Sequence, residues 1–294
     1  MVSLPIDVFV GLVTHPRTRF PESRTQEGLA ASVSRALNNR GLRTEVSVLD
    51  EDTISSHDLD TSAAAIRESI KAELDIELRW REYLSGRPAS PALRLVMRGR
   101  RIKRNFALMS KRRNALAARM LTRLANIEAA HLTLMEQAVQ SEARWTLILE
   151  DDAIAADPKL FTEQLGQLLD LIRHSPSTPA MMNLSESFSL DQLGITHLLT
   201  SQTSEKFNHP WNISASTRHV TNTVCAVLYD REFLTELLST MQAISMEPVV
   251  PIDFKINEAL MQAKDKLPGV TWVCSPAPLQ QASGVPRATT KFVS

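Results

Sequence analysis

The chain has 294 residues, of which 43% are hydrophobic, with 33 basic and 33 acidic side chains. A chain of this length and hydrophobic content can bury a sizeable core, as one large α/β domain or as two small ones. The balanced charge gives no overall argument for a nucleic-acid or other polyanionic partner, so such an argument has to be local.

The first fifty residues predict a parallel βαβ unit. Residues 7–14 are apolar and rich in β-branched side chains, as expected for a strand buried on both faces. Residues 26–39 have apolar side chains at helical spacing, and residues 43–50 alternate as a second strand. Ligands of open parallel sheets bind at the carboxyl ends of the strands. This predicts a binding rim at residues 14–19 and 50–52.

The middle of the chain predicts long helices and holds the strongest charge asymmetry. A helical pattern covers residues 61–83, a breaker cluster covers 85–91, and a long helix is predicted over 114–141. Residues 94–113 contain no acidic residue. The nine basic residues there are Arg94, Arg98, Arg100, Arg101, Lys103, Arg104, Lys111, Arg112 and Arg113.

Three interpretations of the basic stretch stay open. It can be a solvated helical face or a mobile loop. It can dock the protein on an anionic membrane beside a lipid-linked substrate, since each basic residue near such a surface contributes roughly 1 kcal/mol. Some of its arginines can instead clamp the phosphates of a ligand or another anionic group. Nucleic-acid binding is not expected, because only Phe106 could stack on a base.

The second half of the chain continues the alternation of strands and helices, and its tail from Ser275 is predicted to be irregular. Strands are predicted at residues 145–149, 180–184, 221–229 and 270–274, and helices from Pro158 and at residues 232–241 and 252–264.

Three adjacent carboxylates, Glu150, Asp151 and Asp152, follow the predicted strand 145–149. Like charges at such short range disfavour one another's ionisation, so a compensating cation is expected. Mg²⁺ and Mn²⁺ prefer carboxylate oxygens and usually keep positions for water and substrate phosphates. The alternative is an acidic loop that caps the helix beginning near Pro158.

Residues 147–153, Leu-Ile-Leu-Glu-Asp-Asp-Ala, closely resemble the acidic metal motif of glycosyltransferases of the GT-A fold. The resemblance is to the family-25 group, which includes lipopolysaccharide and collagen-type galactosyltransferases. That group has a helix carrying a histidine about twenty residues before the motif, as His131 does here. It also has a proline-hydrophobic-aspartate triplet before a later helix, similar to residues 251–253. The resemblance covers roughly residues 113–263.

The resemblance implies that Asp152, with Glu150 or Asp151, holds Mn²⁺ or Mg²⁺ against the two phosphates of a nucleotide-sugar donor. A UDP-hexose is the expected donor, and a hydroxyl of a glycan or glycolipid is the expected acceptor. Thr14, Pro16 and Arg17 are expected to border the nucleotide. An acidic residue of the 50–52 turn, Asp50, Glu51 or Asp52, is expected to accept hydrogen bonds from the ribose or base.

Two further residues have a functional and a structural interpretation. Asp253 is the candidate base that deprotonates the acceptor in an inverting reaction, but an aspartate near a helix start is also a favoured first-turn residue. In a retaining enzyme it would bind acceptor or sugar instead. His131 lies on a helix among apolar neighbours, where a histidine can serve the cofactor site or be a hydrogen-bonded core residue.

These features predict a single GT-A-like (Rossmann-like) α/β catalytic domain over residues 1–294. Its mixed sheet is flanked by helices, and residues 61–113 form a helical basic insertion. A phosphoryl-transfer enzyme is disfavoured, because the chain has no glycine-rich phosphate loop. A non-catalytic nucleotide-binding or scaffold protein with a degenerate transferase fold remains as the alternative, since a fold does not establish a function.

The N-terminus and the cysteines bear on the compartment. The apolar run of residues 8–13 is too short for a signal or anchor helix and has no basic region before it. Cys225 and Cys274 lie in apolar runs without metal-ligand or redox spacing, as is typical of small buried residues in a reducing compartment. A cytoplasmic protein is therefore expected, one that can also rest on the inner face of a membrane.

Overall fold

The computed structural model describes residues 6–14, 28–50, 59–155, 158–174, 179–186, 189–201, 212–221, 223–244, 247–275 and 277–281. It confirms the α/β class, with an eight-stranded mixed sheet flanked by helices. The strands are β1 (Val8–Thr14), β2 (Thr44–Asp50), β3 (Trp145–Glu150), β4 (Ala153–Ala155), β5 (Pro179–Asn183), β6 (Ser185–Glu186), β7 (Leu199–Ser201), β8 (Asn212–Ser216), β9 (Ala226–Asp230), β10 (Val270–Ser275) and β11 (Leu279–Gln281).

The large sheet has the strand order β2-β1-β3-β9-β5-β10-β8-β7. Strands β1, β2 and β3 are parallel, and the unit that was predicted from the first fifty residues is confirmed by the β1–β2 pairing. Strand β9 lies between β3 and β5 and runs antiparallel to both. A smaller sheet with the order β4-β11-β6 adjoins the end of β3.

Helices cover both faces of the large sheet. They are α1 (Leu29–Asn39), α2 (Ala63–Ser85), α3 (Pro91–Ala107), α4 (Lys111–Gln140), α5 (Pro158–His174), α6 (Leu190–Leu193), α7 (Arg231–Ala243) and α8 (Ile252–Gln262). All of β1 is buried, because its alternate side chains enter two different cores. Phe9 and Val13 pack with α4, α7 and α8, whereas Val10 packs with α1 and α5.

Helices α2 and α3 form an antiparallel pair whose ends follow the local sequence. The side chain of Ser62 accepts a hydrogen bond from the Ala65 backbone and so caps the start of α2, while Gly86 ends the helix in the left-handed region. Ser90 caps α3 in the same way, and Pro91 occupies its first turn. The predicted breaker cluster is therefore the turn between two helices.

The basic stretch of residues 94–113 consists of most of α3, a three-residue turn at 108–110 and the first turn of α4. Its description as an insertion in a transferase domain stays a prediction. The long helix begins at Lys111, three residues before the predicted start. None of the helices in the described part of the chain is both long and apolar enough to cross a membrane.

Two predictions for the second half of the chain were wrong. Strand β9 begins at Ala226, not at Thr221. The tail is not irregular throughout, because Leu279–Gln281 pairs with β4 on one side and β6 on the other. A three-residue strand has too short a pattern to be recognised locally, and its partners lie far away in the chain.

Candidate functional site

The carboxyl ends of β2, β1 and β3 meet at one edge of the large sheet. Thr14 pairs with Asp50 in the register of β1 and β2, and Val13 pairs with Glu150 in the register of β1 and β3. The backbone N–H of Asp151 continues this pairing, since it donates to the Val13 carbonyl at 2.9 Å. The acidic triplet therefore lies on the predicted rim.

Glu150, Asp152 and Cys225 form a compact group of possible metal ligands. One ligand atom of each lies within 4.8 Å of those of the other two. Asp152 is 8% exposed and Cys225 is fully buried, while Glu150 is partly exposed. Two carboxylates this close in a largely buried position repel each other, so a cation would stabilise the arrangement.

Cys225 acts here as a hydrogen-bond donor. Its Sγ lies 3.6 Å from Oδ1 of Asp152. Burial raises the pKa of the Cys225 thiol well above its usual range, and the negative charges of Glu150 and Asp152 raise it further. Carboxylate oxygens are the ligands that hard cations prefer, so Glu150 and Asp152 together could hold such an ion.

Asp151 lies next to this group but has a different partner. The Thr14 hydroxyl donates to Oδ2 of Asp151 at 3.2 Å, and Thr14 itself is only 2% exposed. The structure thus brings Glu150 and Asp152 together with Cys225 and joins Asp151 to the end of β1. Of the three predicted metal ligands, two remain in the compact group.

His131 contacts the carboxylate of Glu150. Its Nε2 lies 3.2 Å from Oε1 of Glu150, and the side chain is 1% exposed. His131 is therefore a buried, hydrogen-bonded histidine and also a direct neighbour of a candidate metal ligand. Such contacts fix the orientation of a ligating carboxylate.

A buried ion pair lies one helical turn before His131, and sequence reasoning missed it. Nζ of Lys255 donates to Oε1 of Glu128 at 2.6 Å, with side chains 3% and 0% exposed. Burial raises the pKa of Glu128, and the hydrogen bond from Lys255 opposes this effect. The pair joins α4 to α8 two residues beyond Asp253. The sequence does contain one indication of this pair. Glu128 lies three residues before His131, so the two side chains share one face of α4.

Asp253 lies in the first turn of α8 and faces a negative environment. Burial raises the pKa of its carboxyl group to about 7, and the charges of Glu73 and Glu150 act in the same direction, while a hydrogen bond from the Phe254 backbone opposes them. The influence of Glu150 means that Asp253 lies within electrostatic range of the acidic group. Its side chain is both a first-turn residue and a titratable group near physiological pH.

Of the remaining predicted site residues, only Asp50 lies within the described residues. Asp50 ends β2, one strand beyond Thr14, and adjacent strands are about 4.8 Å apart. Pro16, Arg17, Glu51 and Asp52 lie outside the described residues. Cys225 was not predicted to belong to a site, because its neighbours in the sequence carry no metal-ligand spacing. It reaches Asp152 through the antiparallel pairing of β9 with β3.

No family model matches this chain, and no curated protein matches it. The resemblance of residues 147–153 to a glycosyltransferase motif therefore remains a prediction. What the structure adds is the grouping of Glu150 and Asp152 at a sheet edge, with His131 in contact and Asp253 within electrostatic range.

Proposed function

We propose that this chain is a metal-dependent glycosyltransferase of GT-A type, which moves a hexose from a nucleoside-diphosphate sugar to a hydroxyl of a glycan or lipid-linked acceptor. The observation that carries the proposal is the pairing of Glu150 and Asp152 at the carboxyl end of β3. The motif that resembles the family's metal site thus has two carboxylates with oxygens within 4.8 Å of one another. A UDP-sugar is the proposed donor by the same resemblance.

The fold supports a nucleotide site at this edge. The parallel unit of β1, α1 and β2 ends beside β3, and ligands of such sheets bind outside the carboxyl ends of the strands. A mixed sheet covered by helices on both faces is compatible with a GT-A domain. The rim beyond β1 and β2 is where the nucleotide would lie.

Glu150 and Asp152 are the residues that would hold Mn²⁺ or Mg²⁺. When bound there, the divalent cation supplies positive charge that stabilises the departing nucleoside diphosphate. His131 keeps Glu150 in position, and the Cys225 thiol donates to Asp152. Thr14 holds Asp151 against β1, which fixes the backbone between the two proposed ligands.

Asp253 is the proposed base on the acceptor side. A carboxylate with a pKa of about 7 can hold or release a proton at physiological pH, as a general base requires. In an inverting reaction it would take the acceptor hydroxyl proton while the oxygen attacks the sugar and the nucleoside diphosphate leaves. The bond to the acceptor then forms as the bond to the leaving group breaks.

The proposal is tested by thermal shift with UDP, GDP, CDP and their common sugar conjugates, each with Mn²⁺ and with EDTA. A ligand at about 100 times its dissociation constant adds about 2.7 kcal/mol, which raises Tm by about 5 °C in a protein of this size. One nucleotide class should stabilise the wild type only with metal. Conversion of the stabilising sugar conjugate to free nucleotide should then be measurable.

Asp152→Asn is the test variant, because it keeps the shape of the side chain and removes the charge. Asp265→Asn is the matched control, since Asp265 is exposed after the end of α8. We expect the metal-dependent shift to disappear in the first variant and to persist in the second. If no nucleotide stabilises the wild type with metal, the acidic triplet is a structural loop and the scaffold alternative replaces the transferase.

A further inference from the structure

A surface on α3 and the first part of α4 combines exposed apolar side chains with basic ones. Among the described residues, seven of the nine large hydrophobic side chains that are prominently exposed lie there. They are Leu95, Val96, Ile102, Phe106, Met109, Leu116 and Met120. Phe106 and Met109 are 71% and 73% exposed. Scattered exposed apolar residues are ordinary in proteins, but a concentration of them on adjacent turns indicates an interaction surface.

Three apolar side chains of α3 share its outward face. Leu95, Ile102 and Phe106 are seven and four residues apart, a spacing that aligns them along one side of a helix. The opposite side of α3 packs on α2 through Met97, Arg100 and their neighbours, because Met97 is buried in the small core that α2, α3 and α4 share. The stripe therefore faces away from the protein.

Helix α2 neutralises only part of the basic stretch. Three arginines pair with acids of α2: Arg94 with Glu82, Arg100 with Glu77, and Arg104 with Glu73. The other six basic residues form no ion pair with any residue of the described ranges, and all six are exposed: Arg98, Arg101, Lys103, Lys111, Arg112 and Arg113. A chain with no net charge thus carries a local positive surplus beside an apolar stripe.

We propose that this surface docks the protein on an anionic lipid bilayer. The stripe of Leu95, Ile102 and Phe106 enters the boundary between headgroups and acyl chains, and the unpaired basic residues contact lipid phosphates. An amphipathic helix with basic residues on the flanks of its apolar face lies in this way in a membrane interface. Anionic lipids attract nearby lysine and arginine residues over about one Debye length.

The composition of the stripe favours lipid over the other anionic partners. A single-stranded nucleic acid would neutralise the basic residues, but it is bound largely through aromatic side chains that stack on its bases, and the stripe offers only Phe106. The aliphatic side chains of Leu95 and Ile102 would remain in water against a phosphate backbone. A bilayer can contact both the basic residues and the apolar stripe, because its headgroups are charged and its interior is apolar.

The docking surface adjoins the side of the molecule that carries Asp253. A cleft of about 340 Å³ lies between α2 and α4, and its lining includes Arg113, Met120 and Pro251, which is two residues before Asp253. A membrane bound to this surface would lie near the cleft. The docking proposal does not rest on the transferase proposal, since its evidence is the surface itself.

The experiment is cosedimentation of the full chain with vesicles of phosphatidylcholine alone and with vesicles in which phosphatidylglycerol makes up about one third of the lipid. We expect binding to the anionic vesicles only, weakened by added salt. The double variant Ile102→Ser/Phe106→Ser should bind at least about tenfold more weakly. Val46→Ser/Val48→Ser, which removes two exposed apolar side chains from β2, is the matched control and should bind like the wild type.

A second pair of variants tests the charge. Arg101→Gln/Lys103→Gln should bind about tenfold more weakly, whereas Lys264→Gln/Lys266→Gln, on the exposed turn after α8, should have no effect. Phe106→Trp should gain a blue-shifted emission with anionic vesicles, and Val48→Trp should not. Failure of the wild type to sediment with anionic vesicles overturns the proposal, as does equal binding of all variants. Either result leaves the nucleotide measurements, and so the transferase proposal, unaffected.

Discussion

Asp253→Asn should make the protein more stable at neutral and alkaline pH. The pKa of Asp253 is about 7, against an ordinary 3.8, because burial and the nearby charges of Glu73 and Glu150 disfavour its ionised form. The unfolded chain has no such environment. Between these two pKa values, the folded protein must either bind a proton that the unfolded chain lacks or hold an unfavourable charge.

The sign and size follow from proton linkage. A pKa that is raised in the folded state stabilises the fold fully below about pH 4, and this contribution is lost as the pH rises to about 7. Each pKa unit corresponds to about 1.4 kcal/mol, so the loss approaches about 4 kcal/mol at pH 8 and is roughly 1.5 kcal/mol at pH 5. Asparagine has no charge to accommodate, so Asp253→Asn avoids this loss.

The assay is urea unfolding of the wild type and Asp253→Asn between pH 5 and pH 8, with EDTA present so that metal binding does not contribute. The advantage of the variant should grow with pH across this range and level off above about pH 7. Asp265→Asn, at an exposed position, should show no such trend. An Asp253→Asn variant that is less stable than the wild type at pH 8, or equally stable at every pH, would refute the reasoning.

Three further substitutions test the packing and the site. Lys255→Met should lower the unfolding free energy by about 3–5 kcal/mol, since it leaves Glu128 buried without its partner. Adding Glu128→Gln should recover much of this loss, as measured by thermal unfolding in a double-mutant cycle. Cys225→Ala should keep metal binding, measured by Mn²⁺ titration, within a few-fold of wild type, because the proposed ligands are the carboxylate oxygens of Glu150 and Asp152. Loss equal to that of Asp152→Asn would contradict this. Leu134→Ala should lower the free energy of unfolding by about 2–5 kcal/mol in chemical denaturation, because the side chain is fully buried against β1. A loss below about 1 kcal/mol would contradict the burial of this side chain.

The local part of the site was predictable from the sequence. An apolar run that ends in Glu150, Asp151 and Asp152 predicts a buried strand followed by acidic side chains, and β3 has this form. The association of Cys225 with Asp152 was not predictable, because it depends on the register of β9 against β3. That register pairs Leu149 with Ala226, and no local pattern encodes it.

The basic stretch also has features that the sequence predicts and features that depend on tertiary packing. Its charge and its helical character can be read from the sequence, and the Ser90 cap followed by Pro91 marks where α3 begins. Which arginines are neutralised depends on how α3 packs against α2. Arg100 and Arg104 meet acids more than twenty residues away, so the surplus charge becomes visible only in the folded protein.

The most direct test of the central claim is a Mn²⁺ titration followed by electron paramagnetic resonance, in which the signal of free Mn²⁺ falls as the ion binds. The measurement is made on the wild type, Asp152→Asn and Asp265→Asn, each with and without UDP. We expect binding to the wild type and to Asp265→Asn, tightened by UDP because the nucleotide phosphates complete the coordination, and little binding to Asp152→Asn. Equal binding to all three proteins, or none to the wild type with UDP present, would contradict the claim.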